Sequence, residues 1–344
     1  MAKGRDYKDQ HFVPSSYTAA WCDPDTPEKM TPYVWVFPAR SRDGRRKAPD
    51  NIFSETDFYT VIESDGTRNV QIENSLSALE SRFAVIRRKL ARQEEISSVK
   101  EHLDLLTFVA AMSARTRAQR DHHQKQFGKV KRLMDSMIDQ YERSTPEQRR
   151  ALLSHPANQV SEDCEPAGSY DDVVAMVENP MRFTLGATIE AMLPILLKMN
   201  LAVIETDDPI GFVTSDDPCV LIDREAHKVP PFFRGNPGLL KPTVELSLPL
   251  SPSQMMIFSW VQGMQGYLKT DQRGVDELNR RTIAWAHEEY VVSRNETRDA
   301  WFEVRPEPED SWEKERARKK ASGVVAEALA DKEASDVVDD KADD

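Results

Sequence analysis

Residues 72–92 read IENSLSALESRFAVIRRKLAR. Ile72, Leu76, Leu79, Phe83, Ile86 and Leu90 recur at alternating intervals of four and three, which places them on one stripe of a helix. Arg87, Arg88, Lys89 and Arg92 gather at its end, where cations meet the negative end of the helix dipole. The helical period continues downstream. A second helix is expected to start at Ser97 or Ser98 and run past Met137, in one piece or two. Thr145-Pro146-Glu147-Gln148 combines a hydroxyl cap, a proline at the first helical position and a glutamine at the third, so a short helix to about Ser154 should follow. After a loop over 155–168, helices are expected at 171–177 and 180–199, the latter kinked or restarted at Pro194.

On either side of this block the pattern becomes strand-like. Residues 33–37 and 57–62 are aromatic and β-branched. Between them, 41–50 carries Arg42, Arg45, Arg46 and Lys47 beside Gly44 and Pro49 and reads as an exposed hairpin loop. Residues 201–206, 211–214, 219–223, 244–248, 254–261 and 289–293 are strand-like, interrupted by a helix over about 272–288. A little β, then helices, then mostly β is not the strict alternation of a parallel α/β sheet. The expected fold class is therefore α+β. A helical block, about 72–200, packs with a mostly antiparallel sheet built from a β-rich part, about 201–304, which the early strands join. Residues 1–304 are expected to form a single domain. Residues 305–344 read as a charged, largely disordered tail in which 312–330 can turn helical transiently.

The chain has 344 residues, of which 39% are hydrophobic and 30% charged, polar enough that part of it should bury little. Its net charge of -12 argues against coating nucleic acid through the overall field, and the tail alone supplies -5, from thirteen acidic and eight basic residues. Cys22, Cys164 and Cys219 form no CxxC pair, which fits reduced thiols better than a disulfide framework. The opening MAKGRDYKDQ has no apolar stretch and no run reaches the length of a membrane span, so a soluble, cytoplasmic protein is expected, with no membrane partner.

Several short segments are too irregular to be core packing alone. They are His11-Phe12-Val13-Pro14 with Tyr17, Asp57-Phe58-Tyr59-Thr60, Ile72-Glu73-Asn74-x-Leu76 with Glu80, Arg115-Thr116-Arg117, Thr214-Ser215-Asp216-Asp217-Pro218 and Pro249-Leu250-Ser251-Pro252. None has the spacing of a phosphate loop, a zinc site or a nucleophile elbow. In their order, over roughly 8–295, they resemble the bacterial family known as domain of unknown function 4238. The family pattern places a second His before the first and an Asn after the first Asp of the later motif; here Gln10 and Asp217 stand instead. The resemblance implies a common fold but no activity, cofactor or substrate.

The residue types in these segments suggest two functions of different class. In the first, the protein is a divalent-metal-dependent phosphodiester hydrolase, a nuclease-like effector. His11 would act as base or ligand, Glu73, Glu80 and Asp216 as carboxylate ligands of magnesium or manganese, and Arg115 or Arg117 would stabilise developing phosphate charge. Glu73 and Glu80 are two helical turns apart and so share a face. In the second, these groups form a buried structural network, with Glu73 favouring the first helical turn and Glu80 pairing with Arg115 or Arg117. The protein would then be a non-enzymatic binding or regulatory module that meets its partner through a basic helix and a polar cleft. Residues 115–132 hold seven Arg or Lys against Asp121, a surface for nucleic acid or for a protein partner, although Phe127 alone offers base stacking. His122 and His123 are adjacent and point about 100° apart, so they make no two-ligand clamp.

Overall fold

The computed structural model describes residues 9–62, 65–96, 98–155, 168–235 and 237–322. The chain opens with β1 (Asp9–His11), the single-turn helix α1 (Ser15–Thr18), β2 (Val34–Pro38), β3 (Arg45–Lys47), β4 (Ser54–Thr56), β5 (Val61–Ile62) and β6 (Arg68–Asn69). The helical block follows: α2 (Gln71–Ala91), α3 (Val99–Ala114), α4 (Arg117–Arg143), α5 (Pro146–Ser154), α6 (Tyr170–Glu178) and α7 (Pro180–Leu196). The last part holds β7 (Asn200–Glu205), β8 (Thr214–Ser215), β9 (Val220–Asp223), β10 (Val244–Ser251), β11 (Gln254–Ser259), β12 (Gly266–Lys269), α8 (Gln272–Trp285) and β13 (Glu289–Val292). The fold is α+β, as the order of periods predicts.

The helix boundaries follow local chemistry. On α2, Leu76, Leu79, Phe83, Ile86 and Leu90 are all buried, each contributing about 1.5–3 kcal/mol of burial free energy. The long helical stretch after Ser98 is two pieces. Ser98 caps α3 by accepting from the Glu101 amide, and the chain breaks at Arg115 before Thr116, in extended backbone, caps α4. Thr145 and Gln148 form the reciprocal capping box that starts α5. Pro194 lies inside α7 without ending it, so the expected restart is not seen.

Two strand expectations are corrected. Residues 57–60 are a turn rather than a strand, because Asp57 adopts a left-handed backbone (φ 57°) and Thr60 N–H closes onto its carbonyl. The run at 211–214 narrows to β8, because Gly211 (φ 72°) turns the chain against Pro252, whose carbonyl accepts from Phe212 N–H at 2.7 Å. A Cβ on Gly211 would lie 1.9 Å from that carbonyl oxygen, so this turn requires glycine. The loop expected at 155–168 lies almost wholly outside the described residues, as does the chain after 322; residues 312–322 are helical.

The strands form a five-stranded sheet in the order β12-β7-β11-β10-β9 and a four-stranded sheet in the order β3-β2-β13-β8, with small ladders β1-β4 and β5-β6. Pairing is antiparallel except that β12 runs parallel to β7. The early strand β2 does join the later β-structure, through β13. The largest buried cluster draws on all parts: Val13 and Trp21, Phe83 of α2, Phe108 of α3, Leu248 of β10 and Phe258 of β11. The N-terminal segment thus lies in the core between the helices and the sheets.

Candidate functional site

Arg115 sits where α3 ends and is almost fully buried. Its guanidinium donates from Nε to the Phe12 carbonyl at 3.1 Å, from Nη2 to the His11 carbonyl at 2.7 Å and from Nη1 to Glu80 Oε1 at 2.7 Å. Tyr59 Oη donates to the Arg115 carbonyl at 3.0 Å, and its ring lies beside the guanidinium. Gln10, from the adjoining position of β1, donates to Thr60 Oγ1 at 2.8 Å and accepts from the Tyr59 amide at 2.6 Å. One buried cation thereby ties the ends of β1, the 57–60 turn, α2 and α3 together. A buried charge needs such complete pairing, because an unpaired one costs several kcal/mol.

Asp216, in the turn after β8, forms a second buried centre. Its Oδ1 accepts from the His287 amide at 2.9 Å, and its Oδ2 from the amides of Glu288 and Glu289 at 2.7 and 3.1 Å, closing the junction between α8 and β13. Burial raises its pKa, and the three amides pull it back. Asp217 is as deeply buried, with the Thr116 hydroxyl, the Trp285 indole and the Asp216 carboxylate around it. Burial and the neighbouring Asp216 charge push Asp217 up to about 7. Of this carboxylate pair, Asp217 is therefore the member that keeps a proton below about pH 7.

Arg117, one residue beyond the α4 cap, pairs with Glu55 at 3.2 Å and Glu288 at 2.6 Å and lies over the Phe12 ring. Arg120 also reaches Glu55 and pairs with Asp121 at 2.9 Å. Both arginines are spent on carboxylates of the body.

The structure thus brings together His11, Glu80 and Arg115, with Glu73 facing the same group, and sets Asp216 in a separate one. His11 Nε2 lies 3.3 Å from the Asp50 carbonyl, and burial holds the imidazole pKa below its ordinary value. Glu73 is half-buried with no ion pair among the described residues; burial, and secondarily Glu80, raise its pKa while Arg115 lowers it. Among the described residues, no three His, Cys, Asp or Glu side chains are grouped to hold a metal ion. Glu73, Glu80 and Asp216 do not form one ligand set in this geometry: Asp216 is wrapped by backbone amides and Glu80 by Arg115.

Beside the Arg115 centre runs a cleft that sequence reasoning missed. It has a volume of about 610 Å³ between α2 and α7, lined by Ile72, Leu76, Leu79, Leu185 and Ile189, with Thr107 on α3. At Val61, Met181 and Arg182 it meets a polar recess of about 180 Å³ built on residues 55–61 and Arg120. Gly186 lines the cleft, and a Cβ there would meet nothing within 4 Å. A glycine inside an apolar helix is the sequence signal that marks this wall. A recess of about 730 Å³ lies against α8, where Arg305 and Arg280 pair with Glu277 and Asp276 pairs with Arg298.

Fold and site define an α+β protein whose irregular polar segments interlock in its interior next to an apolar cleft. The chain belongs to the family described as protein of unknown function DUF4238, whose model matches residues 9–297. No curated protein and no solved structure matches it. No helix of the described residues is long and apolar enough to cross a membrane.

Proposed function

We propose that this protein is a non-enzymatic binding module whose polar signature residues hold the fold and whose ligand occupies the α2/α7 cleft. The observation that carries this reading is the state of Arg115: every guanidinium nitrogen is engaged by the protein itself, leaving none for a phosphate. Arg117 pairs through Nε and Nη1 with Glu55 and Glu288, and Asp216 accepts from three backbone amides. The cleft falls in the size range of small-molecule sites, and its make-up fits one amphipathic molecule. The apolar body would lie on Leu76, Leu79 and Leu185, and the polar end at Thr107 and Arg182, a guanidinium without an ion pair among the described residues.

The competing reading is the magnesium- or manganese-dependent phosphodiester hydrolase, and Glu73 is the observation in its favour. A half-buried carboxylate with raised pKa, facing Glu80 and Arg115, is what a general acid or base requires. Two measurements on the purified chain separate the readings. An amphipathic naphthalene sulfonate dye should bind at one saturable site, and Gly186→Leu, whose Cβ meets nothing within 4 Å and whose side chain would occupy the cleft, should abolish binding. RNA and single- and double-stranded DNA should survive incubation with either metal. Metal-dependent cleavage lost in a folded His11→Ala variant would overturn the binding module in favour of the hydrolase; dye binding unchanged by Gly186→Leu would remove the cleft from it.

A further inference from the structure

Helix α4 is 27 residues long, about 40 Å at 1.5 Å per residue, and none of its residues is buried. Its first turns are tied to the body by Arg117 and Arg120, and one flank is covered by α6, where Tyr170 Oη donates to Asp135 at 2.7 Å and Lys131 pairs with the same carboxylate. Around and beyond that contact, Val130, Leu133, Met137 and Tyr141 are 46%, 63%, 62% and 38% exposed. Their spacing of three, four and four gathers them on one stripe. Single exposed apolar side chains are ordinary, but a stripe of four on a helix otherwise rich in charge is the pattern of a buried seam.

Charge indicates what covers it. Lys125, Lys129 and Arg132 are exposed and have no ion pair among the described residues; Glu142, in the last turn of α4, likewise has none, and with Asp135 and Asp139 it outnumbers Arg143 over residues 133–143. A second copy lying antiparallel sets the basic half of each helix beside the acidic end of the other, whereas a parallel copy sets cations against cations. An antiparallel pair also closes on itself through a two-fold axis near Leu133 and Met137. We infer that the protein self-associates through the distal half of α4, apolar stripe against apolar stripe, as an antiparallel dimer. The contact is one helix wide, below the area of obligate dimers, so the dimer should be weak and concentration-dependent.

Sedimentation velocity of the full chain over a wide concentration series tests this. Wild type should shift from monomer to dimer as concentration rises. Leu133→Glu with Met137→Glu should stay monomeric throughout with unchanged far-ultraviolet dichroism, since glutamate at exposed positions keeps the helix. Lys129→Glu should weaken the dimer, and adding Glu142→Lys should restore it. A wild type monomeric at every concentration overturns the proposal. So does a dimer that survives the double glutamate variant, which would place the interface elsewhere, and so does a dimer unmoved by the charge reversals, which would contradict the antiparallel arrangement.

Discussion

Replacing Asp217 by Asn should stabilise the protein, and by an amount that grows with pH. The carboxyl is buried beside Asp216, and its pKa is pushed up from 3.8 to about 7. The folded form therefore holds a proton that the unfolded chain releases, so stability is greatest below pH 3.8 and is lost as pH rises through 7. That displacement corresponds to about 4 kcal/mol once both forms are ionised, at 1.36 kcal/mol per pH unit, as an upper bound. Asparagine has nearly the same shape and no charge to bury, and it can still meet the Thr116 hydroxyl. The expected gain is about 2 kcal/mol at pH 5, rising to about 4 kcal/mol at pH 8.

Urea unfolding of both proteins, followed by tryptophan fluorescence across that pH range, reads this difference directly. A gain that is the same at both ends, or a loss at pH 8, would refute the assignment of the proton to Asp217. Asp216→Asn provides the opposite sign. An amide has one acceptor oxygen where the carboxylate serves three amides with two, so this variant should lose about 1–3 kcal/mol. If both variants behaved alike, the distinction between the two neighbours would be wrong.

Arg115→Met should cost about 3–5 kcal/mol, since Glu80 and the carbonyls of His11 and Phe12 lose their donor in a dry site; the urea midpoint checks this. Tyr17→Phe removes a hydroxyl that donates to the Pro249 carbonyl at 2.7 Å and lies 2.9 Å from Thr214 Oγ1, and should lower stability by about 1–3 kcal/mol without altering secondary structure by circular dichroism. Gly186→Leu should raise the melting temperature in the absence of ligand, because replacing an unhindered mid-helix glycine contributes about 0.5–1 kcal/mol; a lower temperature would show that the cleft does not have the space described.

Where local chemistry decides structure, the sequence was readable. The α2 stripe, the Thr145 capping box and the α8 helix appear as their residues predict, because period and caps act within a few positions. The break between α3 and α4 was harder to place, because Arg115 leaves the helix to reach carbonyls more than a hundred residues earlier. The left-handed turn at Asp57 was hidden behind aromatic neighbours that look like a strand, and β12 was missed because a short parallel edge strand has no alternation of its own. His11, Glu80 and Arg115 were legible as candidates from their types, and the Glu80–Arg115 pair was among the structural alternatives. Which partner each would choose was not legible, since that depends on tertiary distance. The cleft depends on two helices a hundred residues apart, and Gly186 was its local trace.

The N-terminal segment gives the irregular motifs a common physical cause. His11 and Phe12 offer their carbonyls to Arg115 at the end of α3, and Arg87 of α2 donates to the carbonyls of Ser16 and Tyr17 at 3.1 and 3.0 Å. Tyr17 then reaches Thr214 in the four-stranded sheet and Pro249 in the five-stranded one, while Trp21 donates its indole N–H to the Phe212 carbonyl at 2.7 Å. A segment of some ten residues therefore fastens two helices to both sheets through side chains that need a specific partner rather than mere apolarity. A His-x-Val-Pro start, an Arg-Thr-Arg break, a Thr-Ser-Asp turn and a Pro-Leu-Ser-Pro corner would be required together by such a strap even if no substrate ever touched them. A chemical role has then to be sought in groups the strap leaves unspent, and beside it these are Glu73 and the cleft wall at Gly186.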